Sequence, residues 1–343
     1  MNWTKNKAWE WYENVGWLCG FNYVPSTAVN TTEMWQCETF DLQTIDRELG
    51  WAEQLGFNSC RIFIQYLVWT VDKKGLLKRI DKFLDVANHH KITTVMCLMD
   101  DCAFSGKQPY LGPQDNPKPG IHNSCWTPSP GHERVINRSF WPDLEAYINE
   151  IVSHFSADHR ILMWDLYNEA GNAKMGNKSL PLLKECFIWA RTAKPIQPLT
   201  ACIYDKDLHD INEVVLKLSD IVTFHNYNPL PHLKIVVEKL RAFSRPLICT
   251  EWMARSRGSR INTHLPFFRQ EEIGCYIWGL VNGKTQTSFG WETLESASKR
   301  AEEPGEWFHD LLHPNGEPYS DEEIQILREQ TNSSISLNEK RLL

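Results

Sequence analysis

Eight short apolar, β-rich runs alternate along this chain with stretches of helical spacing, and that alternation limits the fold more than any other feature. The runs fall at 17–22, 58–63, 93–98, 161–168, 199–204, 221–226, 246–250 and 274–278. Between them Ile45, Leu49 and Ala52 recur at helical intervals, as do Leu77, Ile80, Leu84 and Ala87, and Leu144, Tyr147, Ile148, Ile151 and Phe155. Strand, helix, strand, repeated to eight, predicts parallel pairing with the helices outside. An open doubly wound sheet needs a glycine-rich phosphate loop after its first strand, and the sequence there is GFNYVPST. The expected fold is therefore a single α/β domain over residues 1–330, a (β/α)8 TIM barrel. Residues 301–330 read as a partly helical closing segment and 331–343 as a polar, disordered tail.

Barrels of this kind carry chemistry at the C-terminal ends of their strands, on the loops leading into the helices. The longest such connection, residues 101–138 after the third strand, is proline-rich, without periodicity, and contains His122 and Trp126. A structureless connection of that length is usually functional, and it is expected to form a wall of a substrate cleft. A second loop is expected at 281–291, after the eighth strand.

Composition narrows the partner. The chain of 343 residues holds 15 Trp, 15 Phe and 10 Tyr, more aromatic surface than its core requires, and its net charge is −7. That charge disfavours nucleic acid and anionic membrane. Flat aromatic faces in excess suit the C–H faces of sugars. Ten cysteines are present, but no CxxC pair and no zinc-type His/Cys spacing, so they read as buried small hydrophobes, with no metal and no cofactor expected. No apolar stretch approaches a membrane span, and the first residues lack a leader's apolar core. The expectation is a cytoplasmic protein, or a secreted one if a leader precedes this sequence.

Two carboxylates sit where barrel chemistry belongs. Trp164-Asp165-Leu166-Tyr167-Asn168-Glu169 ends the fourth run, and Cys249-Thr250-Glu251-Trp252 ends the seventh. These segments resemble the clan A glycoside hydrolases, in particular the family 5 cellulase- and mannanase-like barrels. WDLYNEAGN resembles the acid/base motif, with Ala170 where the family usually has proline, and CTEW resembles the nucleophile motif. The resemblance implies that Glu169 is the acid/base and Glu251 the nucleophile of a retaining β-glycosidase acting on a β-linked glycan. It further implies that Arg61 hydrogen-bonds the nucleophile, that His225 and Tyr227 position substrate and nucleophile, and that Trp278 forms the floor beneath the sugar. Asn168 offers an amide to the sugar's 2-hydroxyl. Arg61 and Tyr227 are expected to keep Glu251 ionised, and the charge on Glu251 to keep Glu169 protonated. Asp100, Asp101, His122 and Trp126 are further candidates for contact with substrate, whereas Asp165, one layer deeper on the face of Glu169, reads as a structural carboxylate. A transglycosylase using the same intermediate and a silent carbohydrate-binding barrel remain alternatives.

Overall fold

A computed structural model describes residues 2–291 and 305–341, with side chains through Thr331. Its strands are β1 (Cys19–Asn22), β2 (Ser59–Phe63), β3 (Thr93–Cys97), β4 (Ile161–Asp165), β5 in two pieces (Leu199–Thr200 and Cys202–Ile203), β6 (Val222–His225), β7 (Leu247–Trp252) and β8 (Gly274–Trp278). Every pairing is parallel. β1 pairs with both β2 and β8, so the sheet closes on itself. The first piece of β5 pairs with β4 and the second with β6, which lets the strand turn the corner at Ala201 without breaking the circle. The (β/α)8 barrel expected from the sequence is the observed fold.

The intervening helices form where the apolar spacing predicts them. In Lys73–His89 the residues Leu76, Leu77, Ile80, Phe83, Leu84 and Ala87 are buried on one face, and Asp72 caps the start by accepting from the Gly75 N–H. Trp141–His154 likewise buries Leu144, Tyr147, Ile148, Ile151 and Val152. Each such Leu, Ile or Phe contributes roughly 1.5–3 kcal/mol on leaving water, and together they make the main core between strands and helices.

The barrel interior is layered. Along β2, Cys60 and Ile62 pack in the outer core, while Ser59, Arg61 and Phe63 point inward in turn. At the lowest layer Ser59 accepts from the Tyr276 hydroxyl, and Val95, Met163, Ile221 and Ile248 fill the base. Tyr276 fits because β1 carries Gly20 opposite it; a Cβ there would fall 2.4 Å from the Tyr276 ring. The N-terminal helix Lys5–Val15 closes this end, inserting Ala8 and Tyr12 against the same cluster. The other end is left open and polar.

The connection at 101–138 is held to the barrel by short elements, including helix His132–Ile136. Helix Asp321–Arg341 packs beside Ile261–Gln270 and runs on through positions expected to form a polar tail. Residues 301–304 of the expected closing segment lie outside the described residues. No described helix is long and apolar enough to cross a membrane. All ten cysteines are free, and only Cys37 is exposed.

Candidate active site

At the open end lies a cavity of about 430 Å³ whose lining includes Asn168, Glu169, His225, Tyr227, Glu251, Trp278, His122 and Trp126. Residues from β4, β6, β7, β8 and the 101–138 connection, far apart in sequence, therefore meet in one place.

Glu251 is part of β7 itself, where a register shift against β6 sets it opposite His225. Its two oxygens are separately held. Arg61 Nη1 donates to Oε1 at 2.8 Å, and the Tyr227 hydroxyl donates to Oε2 at 2.8 Å. Arg61 is fully buried and shared: its Nε and Nη2 also donate to Asp165 Oδ2 at 2.9 and 2.8 Å, and Nη2 to Asn168 Oδ1 at 2.7 Å. Asp165 is thus the structural carboxylate that its strand position predicts, one layer below the cavity.

Glu169 follows β4 with φ 43°, a left-handed backbone that turns its side chain back over the strand end. His225 Nδ1 lies 2.8 Å from its Oε1 and 3.4 Å from Glu251 Oε2. Oε2 accepts from Asn172 Nδ2 and, at 3.3 Å, from the Cys102 thiol. One oxygen of each glutamate and a ring nitrogen of His225 all lie within 4.8 Å of one another.

Burial raises the pKa of both carboxyl groups above the ordinary value, because a charged carboxylate loses water in this cavity. At Glu169 the Cys102 and Asn172 hydrogen bonds oppose the rise, and Arg61 does so from farther away. At Glu251 the neighbouring His225 opposes the rise most, Glu169 adds to it, and Arg61 and the Tyr227 hydroxyl oppose it further. The contacts expected to hold Glu251 ionised are present, yet burial outweighs them in the net direction. Burial also pushes His225 down to about 4, so the imidazole between the two acids is neutral at ordinary pH. Arg61 is then the cation on which the acidic pair depends.

The remaining predicted residues divide. Asn168 Nδ2 donates to Asp100 Oδ1 at 2.9 Å, and with Oδ1 fixed by Arg61 the amide is locked, its second N–H facing Cys102 and the cavity. Trp278 and Trp126 line the cavity and meet Phe63 edge to face, with Trp278 5.8 Å from Phe63 and 6.0 Å from Trp126. Trp126 Nε1 also donates to Asp100 Oδ2 at 2.7 Å, so Asp100 braces Asn168 and Trp126 from behind. Asp101 is a correction. It is fully buried, outside the cavity lining, and its carboxylate accepts from the Tyr167 hydroxyl, the Gly171 N–H and the Ser179 hydroxyl. It ties the turn after Glu169 to the next helix, so no oxygen is free for substrate. Asp100, the other expected contact at this strand end, is likewise buried and outside the lining, its oxygens taken by Asn168, Trp126 and the Cys102 N–H.

Sequence reasoning missed Cys102, Asn172, Tyr204, Arg257 and Trp291, which also line the cavity. Tyr204 closes the fifth apolar run, so the strand-end rule could have flagged it. Asn172 lies three residues beyond Glu169 in the same turn. Cys102 and Arg257 carry no signal of their own, since a thiol and a loop arginine are commonplace.

No protein-family model and no curated protein matches this chain. Solved structures do. The GH5_18 protein of Streptomyces cattleya, solved with GlcNAc, is similar at 13% identity and TM-score 0.62 over 92% of this chain and 80% of that one. An endo-β-1,4-mannanase from Thermotoga petrophila matches at 12% identity and TM-score 0.57, covering 93% and 77%. A β-glucosidase designated 1317 matches at 12% identity and TM-score 0.58, covering 92% and 98%. At these identities the likeness is one of fold: the chain has the (β/α)8 barrel that these solved structures share.

Proposed function

We propose that this protein is a retaining β-glycosidase, with Glu169 as acid/base and Glu251 as nucleophile. The observation that carries the reading is the pair itself: one oxygen of each carboxylate within 4.8 Å, at the open end of the barrel, with Arg61 and Tyr227 on one of them alone. Retaining enzymes keep their two carboxyl groups roughly 5–5.5 Å apart, whereas inverting enzymes leave about 6.5–9.5 Å for a water between them.

The contacts divide the labour. Glu251, faced by a buried guanidinium and a phenol, is the group that ionises more readily, and it attacks the anomeric carbon. Glu169, lacking a direct cation, keeps its proton and delivers it to the departing oxygen. The glycosidic C–O bond breaks as the ester to Glu251 forms. Esterification removes the charge on Glu251, so Glu169 becomes a stronger acid and remains ionised. It then takes a proton from water, the hydroxide attacks the same carbon, and Glu251 leaves as carboxylate. Asn168, locked by Arg61 and Asp100, turns the N–H that faces Cys102 and the cavity to the 2-hydroxyl, and Trp278 supports the ring from below.

Attack from one end of a short β-linked oligosaccharide is supported by the way the long loop is fastened. Asn123 N donates to Thr285 O at 2.8 Å, Gly120 N to Gln286 Oε1 at 2.9 Å, and Trp291 Nε1 to His122 Nε2 at 3.2 Å. These bonds join the connection at 101–138 to the loop after β8 and wall one side of the cavity. A glucoside or mannoside is favoured by the neighbours, one a β-glucosidase, one a β-1,4-mannanase, and one solved with Manβ1-4GlcNAc.

The test is a panel of aryl β-glycosides of glucose, mannose, xylose and galactose, with the first-formed sugar followed by proton NMR. The β-anomer is expected. An α-anomer sinks double displacement, and binding without any turnover points to a silent carbohydrate-binding barrel.

A further inference from the structure

Among the described residues lining the cavity is a cation that the proposed chemistry does not use. Arg257 lines its mouth and is exposed. It ends a short 3-10 turn, Arg255–Arg257, closed by Gly258 at φ 81°. That turn is pinned from below, since Arg255 is buried and its guanidinium donates to Glu323 and to the carbonyls of Trp307, His309 and Asp310. The backbone carrying Arg257 is therefore fixed.

Its side chain is directed as well. The Arg257 guanidinium lies over the Trp291 ring, 5.4 Å from the centroid. Trp291 is itself held, by its bond to His122 and by edge-to-face contact with Tyr227 at 4.9 Å. The Tyr227 hydroxyl bonds Glu251, so the Arg257–Trp291 pair adjoins the proposed reacting centre. His122 adds no charge, because burial pushes it down to about 4.

Neither catalytic carboxylate neutralises Arg257. The oxygens of Glu251 are taken by Arg61 and Tyr227, and those of Glu169 by His225, Asn172 and Cys102. Among the described residues no carboxylate forms an ion pair with Arg257. A guanidinium attracted to an aromatic face keeps N–H donors for other partners, in the fork that matches a carboxylate or a phosphate. A guanidinium lying over an exposed indole, with no ion-pair partner among the described residues, thus offers a sugar ring a face and an oxyanion a partner at once.

We propose that Arg257 and Trp291 form a subsite for a sugar bearing an oxyanion, either the carboxylate of a uronic acid or a sulfate or phosphate ester. This deepens the glycosidase reading and rests on it.

The test is calorimetric binding to the full chain carrying Glu251→Gln, so that turnover does not enter. Its ligands are matched β-linked disaccharides: neutral, uronic acid, sulfate ester and phosphate ester. The anionic member preferred tells which source the site is built for. A preference of tenfold or more over the neutral disaccharide is expected at low salt, fading as salt rises. Adding Arg257→Gln is expected to abolish that preference, and Arg257→Lys to retain part of it, which also controls for folding. If the neutral sugar binds as well as every anionic one, or if the preference survives Arg257→Gln, the subsite is wrong while the glycosidase reading stands. If no sugar binds at all, the glycosidase reading falls and the subsite with it.

Discussion

The two walls of the cavity are built differently around the same functional group. Glu251 sits within a strand, and its oxygens are held by a phenol and by a guanidinium 190 residues away in sequence, itself buried between Asp165 and Asn168. Glu169 stands just past a strand, in a left-handed turn, and Asn172 holds it from three residues further on within that turn, helped by the Cys102 thiol and by His225. The first wall fixes a charge in place. The second holds a carboxyl group through neutral donors, which favour its ionised form less strongly than a direct cation would, and this suits the acid/base role proposed for Glu169. A cation placed against Glu169 would have cost it the proton.

The sharpest way to break this comparison is to remove each carboxylate in turn. Glu251→Ala is expected to lower hydrolysis by several orders of magnitude, about 10⁴-fold or more, for every substrate. Glu169→Ala should silence natural linkages but leave the first step fast on a dinitrophenyl glycoside, whose leaving group needs no proton. Azide should rescue both variants, giving the β-azide with Glu169→Ala and the α-azide with Glu251→Ala when the substrate is a β-glycoside. Products of the opposite stereochemistry mean the two roles are swapped.

The next effect in size concerns the fixed wall. Arg61→Met strands Asp165 and Glu251 in the interior without their cation, at a cost of about 3–5 kcal/mol. The loss appears in denaturant titration as a lower midpoint with unchanged slope. A loss below about 1 kcal/mol would mean that the buried ion pairs are not integral to the fold.

Smaller again is the shift expected at the mobile proton. Asn172→Ala removes a donor that favours ionised Glu169, so the pKa of Glu169, already raised by burial, rises further. Activity that needs Glu169 protonated is lost as pH rises through that value. The alkaline limb of kcat/KM should therefore move to higher pH, by up to about one unit for a bond worth roughly 1 kcal/mol. An unchanged limb with a lower plateau would show that Asn172 only orients the acid. The smallest effect is none. Glu169, His225 and Glu251 are close enough to grip a metal ion, but Arg61 and Tyr227 already occupy Glu251, and activity is expected to survive dialysis against a chelator. Lasting loss restored by a divalent cation would turn the pair into a metal site.

How far the site could be read beforehand differs between the walls too. Glu251 and Glu169 each stand at the end of an apolar run, and in a parallel barrel every strand end faces the same way, so position along the chain translated directly into position in space. Tyr227 lies one residue past its run, and its role, like those of Arg61, His225 and Trp278, came from resemblance. Asn172, Cys102, Arg257 and Trp291 lie on loops, where no periodicity ties sequence spacing to direction. For the same reason Asp101, placed by the sequence among substrate contacts, proved to be a buried brace.

What the sequence determined by itself was the order of strands and helices, the closure into eight and the two carboxylates, because apolar period and strand-end position are local properties that the backbone geometry must obey. Tertiary structure alone decided the two-piece fifth strand, the partners that set the proton affinities of Glu169 and Glu251, and the fastening of the long loop to the one after β8. Those depend on which side chains from distant segments share the space left by water, and burial, which governs both pKa values, is a property of the folded whole rather than of any segment.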